Sequence, residues 1–184
     1  MDQAHRRDAA RVSGMDAYLA IVSKREVRSY DPRPIEPDVE RRILEAGRVA
    51  GSSKNRQARR FVVLRSPELV RAAADCVYAA DNVLGATLVV AVVVGGKGPT
   101  SFDAGRAAQN MMLAASSDGV GSCPNGIADA AALQEIVGHD DGEQVATVLT
   151  FGYPATPRDA ERLSAQEWIE RADRRPYEEV VQER

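Results

Sequence analysis

The run "SKREVRSYD", Ser23 to Asp31, gathers Lys24, Arg25 and Arg28 in a chain whose formal net charge is -3. Cations this close, ahead of the three prolines of "DPRPIEP", suit an anionic ligand. A dianionic phosphate is held best by charge-assisted and preferably bidentate donors, which arginine supplies. A solvated basic face is the plainer alternative, because charged side chains mostly stay in water. Glu26 lies inside the cluster and sets an anion beside any anion site.

Three glycine-containing loops offer further cradles. "GGKGPT" follows an apolar run but lacks the GxxxxGK[ST] spacing, and no hydroxyl follows its lysine to reach a magnesium ion. "GVGSCPNG" opens as GxG, yet Pro124 takes the third glycine's place and the loop follows a helix where a dinucleotide fingerprint follows a strand. "GSSKNRQ" is rich in hydrogen-bonding groups and reads, taken alone, as a capped turn at a helix exit.

Other chemistries have little to draw on. His5 and His139 are the only histidines, which leaves almost nothing for a metal centre or a Ser-His-Asp triad. Cys76 and Cys123 form no CxxC, so reduced thiols are expected, and Cys123 reads as a small residue filling a tight loop. Met111 and Met112 read as core filling.

The elements that must position these groups follow from periodicity. Asp16 caps a helix expected to run to Arg25, and a second amphipathic helix runs from Asp38 to about Ala50. "RFVVLRS" is a strand, and Pro67 opens a helix ending near Tyr78. "ATLVVAVVV" is too β-branched and too evenly apolar for a surface helix, so it is a strand buried on both faces. Asp103 to Ser117 is apolar nearly all round and makes a central helix. "DGVGSCPNG" reads as a loop, Ala130 to Val137 as a short helix, "QVATVLTFGYP" as a strand and "SAQEWIERA" as a last helix. The tail bearing Val180 and Val181 is expected to add a strand to a sheet, a partner's included. Helices interleaved with strands give an α+β or three-layer arrangement around a mixed sheet.

At 184 residues the chain suits one domain, taken as 15–184 behind a mobile N-terminal arm at 1–14. Aromatics at 5% and a pI near 5.5 exclude the stacking platform and basic footprint of a nucleic-acid binder. The N-terminal residues lack a signal peptide's apolar core, and the longest apolar run falls far short of the roughly 20 residues of a membrane span, so a cytoplasmic location is expected.

Taken together, these pieces resemble the FMN-dependent nitroreductase family. "SKREVRSYDPRPIEPDVERRILEAGRVAGSSKNRQARRFVVLRSPE" is similar to its N-terminal signature: a pattern close to RRSxRxF, a Pro-Val/Ile turn, a helix ending in APSSxNxQPWRF, and a strand. "DAGRAAQNMMLAASSDGVGSCPNG" resembles its central helix and following loop. "FGYPATPR" and "DRRPYEEVV" resemble its closing strand and its RRKPLEEVV-like tail. The match runs in family order from about residue 16 to 182.

The resemblance implies a nitroreductase-like three-layer fold and a homodimer with two flavin sites across its interface, the C-terminal tail reaching the partner. It implies that Lys24, Arg25 and Arg28 grip the FMN phosphate, with Glu26 where that pattern carries serine. Arg174 and Arg175 map onto a basic pair approaching the same phosphate. Gly51, Ser52, Ser53, Asn55 and Gln57 map onto a loop touching the flavin held mainly by the other protomer. Pro124, Asn125 and Gly126 map onto a loop whose backbone N–H groups face the flavin's N5 and O4 edge, and Asn82 lies near a polar position against the ring. The implied activity is hydride transfer from NADH or NADPH, through FMN, to a nitroaromatic or quinone, with no metal. Oxidase, peptide-dehydrogenase or flavin-fragmenting chemistry on the same fold, and a non-catalytic flavin-binding dimer, are the alternatives. The chain departs from the pattern at Glu26, at "QARR" for QPWR, at Gly51 for proline, and in the short "GGKGPTSF".

Overall fold

A computed structural model of the chain describes residues 16–184; the expected arm at 1–14 lies outside the described residues. The chain divides into two compact units: the described part of Met1–Ser23 with Ala160–Arg184, and Lys24–Asp159.

The larger unit is built on four strands, β1 (Arg59–Leu64), β2 (Leu88–Gly95), β3 (Gly121–Asn125) and β4 (Glu143–Gly152), in the order β1-β2-β4-β3. Every pairing among them is antiparallel, which corrects the expected mixed sheet. One of these pairings joins β1 to β2. Two helices, α3 (Pro67–Asp75) and the unforeseen α4 (Ala80–Leu84), bring the chain back to the end of the sheet it left.

β2 is buried along Leu88–Val94, as its composition requires. Alternation sends Leu88, Val90, Val92 and Val94 to one face and Val89, Ala91 and Val93 to the other. The first face, which Phe151 of β4 shares, packs on α2 (Pro37–Arg48) and α5 (Thr100–Ser117) through Ile43, Met111 and Met112. The second packs on α3, α4 and α6 (Ala130–Val137) through Ala73, Val83 and Leu133. The result is three layers.

"GVGSCPNG" is not a loop but the edge strand β3. Glycine and proline masked it, and the edge explains both. Pro124 sits in an edge strand, where a missing ladder N–H is tolerated. Gly121 lies under the side chain of Val27: a Cβ there would stand 2.6 Å from that of Val27. The segment after Lys24 uses this gap, Val27 N–H donating to Ser122 O at 3.0 Å.

The smaller unit holds α1 (Ala17–Ser23), α7 (Ala165–Glu170) and one turn, α8 (Tyr177–Val180). Asp16 caps α1 as expected, its Oδ2 accepting Leu19 N–H at 3.1 Å, but the helix stops at Ser23 and not Arg25. α7 starts with a capping box between Ser164 and Glu167 and packs on α1. Trp168 Nε1 donates to Ala160 O at 2.8 Å. Val180 closes a helical turn where a strand was expected.

Candidate functional site

Three charged side chains, Lys24, Glu26 and Arg28, surround the thiol of Cys123 on β3. Burial is the main influence on that thiol and pushes it up; the positive charges of Arg28 and Lys24 and a hydrogen bond from Arg28 oppose the push, and Glu26 adds to it. Cys123 is 2% exposed, so it is a buried, protonated packing residue and not a nucleophile.

The cluster is not three free cations. Lys24 Nζ lies 2.7 Å from Glu26 Oε1, and the lysine side chain is 6% exposed. Its ammonium also lies 3.6 Å from Met112 Sδ. Arg25 Nη1 turns back to donate to Lys24 O at 2.9 Å. Arg28 is exposed, and with Glu26, Ser29, Thr156 and Arg158 it lines a cavity of about 320 Å³. The fold thus splits the expected phosphate grip into a Lys24–Glu26 ion pair, an Arg25 turned back on the backbone, and an exposed Arg28 beside the Cys123 thiol.

Behind this face stands a polar network reaching through the sheet. Tyr30 Oη donates to Val27 O at 2.7 Å and meets Thr150 Oγ1 at 2.9 Å. Thr150 Oγ1 in turn lies 3.1 Å from Cys123 O. Asn125 Nδ2 reaches Val148 O (3.1 Å), Cys123 O (3.2 Å) and Thr150 Oγ1 (3.3 Å), while Asn82 Nδ2 donates to Asn125 Oδ1 at 3.0 Å. Asn82 and Asn125 are both buried, so their amides brace β3.

The stretch at Pro124, Asn125 and Gly126 therefore differs from its sequence reading. Proline has no N–H to donate. Asn125 is committed to β4 by its strand pairing and to the interior by its side chain. Gly126 is exposed, and its carbonyl accepts Tyr78 N–H at 3.1 Å. Of the expected trio, only Gly126 keeps a backbone N–H in an exposed place. The ring of Tyr78, 81% exposed, lies against it: a Cβ on Gly126 would stand 3.1 Å from Tyr78 Cδ2. The sequence offered no signal for Tyr78 beyond its place at a helix end.

The second expected stretch, 51–57, is one turn of 3₁₀ helix, Ser53–Asn55, with Lys54, Asn55 and Gln57 at positive φ (51, 53 and 54). Left-handed backbone at three non-glycine residues is held by its surroundings. Asp103 Oδ2 accepts Ser53 N–H at 3.0 Å, and Ser52 Oγ accepts Gln57 N–H at 2.9 Å. Asp103 had looked like a helix start, but α5 begins at Thr100, and the buried carboxylate serves the turn instead. The Arg106 guanidinium lies against Gly51, so a side chain there would have to displace it. Lys54, Asn55 and Gln57 are exposed. Arg59, where the pattern has tryptophan, sends Nη2 to Ala50 O and, at 3.4 Å, to the carbonyls of Gly47 and Arg48 at the end of α2.

Arg174 and Arg175 lie in the smaller unit, both exposed, with Arg174 Nη1 donating to Ala172 O at 2.6 Å. No helix among the described residues is long and apolar enough to cross a membrane.

Three layers around an antiparallel sheet, with a charged segment laid along its edge strand, make this an α+β protein of the nitroreductase fold. The chain belongs to the nitroreductase family, whose model matches residues 21–93 and 99–153. It is 28% identical over 149 residues (76% of this chain, 86% of the other) to an Archaeoglobus fulgidus protein named "Putative NADH dehydrogenase/NAD(P)H nitroreductase". A crystal structure from Desulfovibrio desulfuricans, described as "a putative nitroreductase in complex with fmn", superposes with a TM-score of 0.77. It is 27% identical and covers 93% of this chain and 98% of its own. A nitroreductase family protein from Clostridium difficile 630 gives the same TM-score at 22% identity, covering 91% and 98%.

Proposed function

We propose that the chain is an FMN-dependent oxidoreductase that takes a hydride from NADH or NADPH and reduces a small organic acceptor, a nitroaromatic or a quinone, by a ping-pong scheme in a homodimer. The observation that carries this reading is the meeting of Arg28, the Lys24–Glu26 pair and the edge strand β3 beside exposed Gly126 and Tyr78. FMN when bound supplies the N5 centre at which hydride is accepted and released.

The residues present fit that group in most respects. Arg28 and Arg158, with Ser29 and Thr156, line a cavity whose donors suit a phosphate. Gly126 N–H is a backbone donor for negative charge developing on a reduced ring, and it needs no titratable side chain. Tyr78 gives an aromatic wall beside it. The 51–57 turn presents Lys54, Asn55 and Gln57 from a backbone fixed by Asp103, which suits a contact made to the ligand of the other protomer. The misfit is Glu26, which takes up the charge of Lys24. The parts assigned to Arg174, Arg175 and the homodimer rest on the family resemblance alone.

Purified protein should be yellow, should bleach with NADH or NADPH under anaerobic conditions, and should regain colour on adding a nitroaromatic or a quinone. Colourless protein that ignores added FMN overturns the proposal.

A further inference from the structure

Tyr78 is placed by its main chain and not by its ring. Cys76 O accepts the N–H groups of Ala128 (2.8 Å) and Asp129 (3.1 Å), Val77 bridges to Ile127 in the antiparallel sense, and Tyr78 N–H donates to Gly126 O at 3.1 Å. Further on, Asn82 Nδ2 reaches Asn125 Oδ1 at 3.0 Å. These bonds hold the segment 76–82 against the end of β3 whatever side chain position 78 carries.

Val77 turns into the core, 6% exposed, while Tyr78 stands almost wholly in solvent with its ring against Gly126. A ring left in water contributes little to folding. A fixed main chain and only two side-chain torsions leave it little freedom to lose when a flat molecule settles on it. Ring pairs in offset or edge-on contact are favoured beyond the area they bury. The stretches that meet here, 76–80 and 126–128, carry no charged side chain. Such a surface suits a neutral, planar ring.

Resting on the flavin reading above, in which Gly126 faces the reduced ring, we infer that Tyr78 is the residue that selects the electron acceptor. Its exposed face stacks on a neutral aromatic acceptor and holds it beside Gly126. The site therefore takes flat quinones and nitroarenes in preference to acceptors that have no ring. The aromatic face carries this selection and the hydroxyl does not.

The test uses the full chain loaded with FMN, as wild type, Tyr78→Ala and Tyr78→Phe, at one fixed salt concentration. With NADH or NADPH in excess, kcat/KM is measured for menadione, a flat neutral quinone, and for ferricyanide, an anionic acceptor with no ring. Binding without turnover is measured with 2-naphthol, a flat arene with no group to reduce, from the change it makes in flavin absorbance. Tyr78→Ala should lower the menadione-to-ferricyanide ratio of kcat/KM about tenfold and raise the Kd of 2-naphthol about tenfold. Tyr78→Phe should bring both back to within about threefold of the wild type. A ratio and a Kd that Tyr78→Ala leaves within about twofold overturn the inference, and so does a phenylalanine variant as impaired as the alanine one. Loss of bound FMN from Tyr78→Ala, or of a dimer that the wild type forms, assigns the ring to the flavin or to a second copy; either result overturns the inference and leaves the flavin reading standing. A wild type that binds no FMN, or that binds it and reduces neither acceptor, overturns both.

Discussion

The hydroxyl of Tyr30 meets Oγ1 of Thr150 at 2.9 Å across 120 residues of sequence, fixing the charged segment to the inner strand β4. Because Thr150 also lies 3.1 Å from Cys123 O, this one contact ties Lys24–Tyr30, β4 and the edge strand together. Tyr30→Phe keeps the ring against Gly152 and deletes the hydroxyl. It should lower stability by about 1 kcal/mol, read as a shifted urea midpoint with an unchanged slope.

The same tyrosine makes the fold sensitive to alkali. Burial is the main reason its pKa rises from 10.0 to about 12. The unfolded chain then loses this proton first. Stability is full below pH 10 and falls as pH climbs from 10 towards about 12. Denaturant midpoints across that range should fall less steeply in Tyr30→Phe than in the wild type.

At the acid end the sign reverses. Arg60 Nη2 lies 2.7 Å from Glu143 Oε2, and this bond is the first cause of a carboxyl lowered from 4.5 to about 2. Asp140 N–H adds a second hydrogen bond at 3.0 Å. The stabilisation is present above 4.5 and is lost as pH falls towards about 2. Glu143→Gln should start less stable at neutral pH and show a flatter loss over that interval.

Gly121→Ala places a methyl group 2.6 Å from Val27 Cβ, with backbone on both sides unable to yield cheaply. Overpacking of this kind costs about 1–3 kcal/mol. Displacing the charged segment from β3 should also remove bound flavin. Thermal melting and the visible colour of purified protein read the two effects separately.

Arg28→Glu should abolish flavin retention, since it is the exposed cation of the segment and borders the cavity. Retention unaltered by that reversal sinks the phosphate-site assignment. Asp103→Ala works at a distance instead. By freeing Ser53 N–H it should loosen the 51–57 turn, cost about 1 kcal/mol, and weaken flavin binding while leaving melting cooperative.

Much of the architecture was legible because it depends on local pattern. β2 is a ribbon of valines with no other plausible home than a sheet interior, and α6 announces itself by apolar spacing inside Ala130–Val137. β3 was not legible, because glycine and proline are strand-poor residues and only the approach of Val27 and an edge position reconcile them. α4 is five residues long and carries too few turns to show a period. The positions of the charged residues could be read, but their pairing could not. That Lys24 gives its charge to Glu26 is decided by which side chains share a pocket, and sequence spacing does not encode that. The same holds for Asn125, whose amide turns inward to β4.

The placement of β2 has a cost during synthesis. Its neighbours in the finished sheet are residues 59–64, already made, and residues 143–152, still to come. One edge of an uncharged, valine-rich ribbon must therefore wait for chain that has not yet left the ribosome. Through that interval it is an open template for the same ribbon on another nascent copy. Overproduction in a cell short of chaperones should accordingly drive this protein into inclusion bodies, and slowing translation should bring it back into solution.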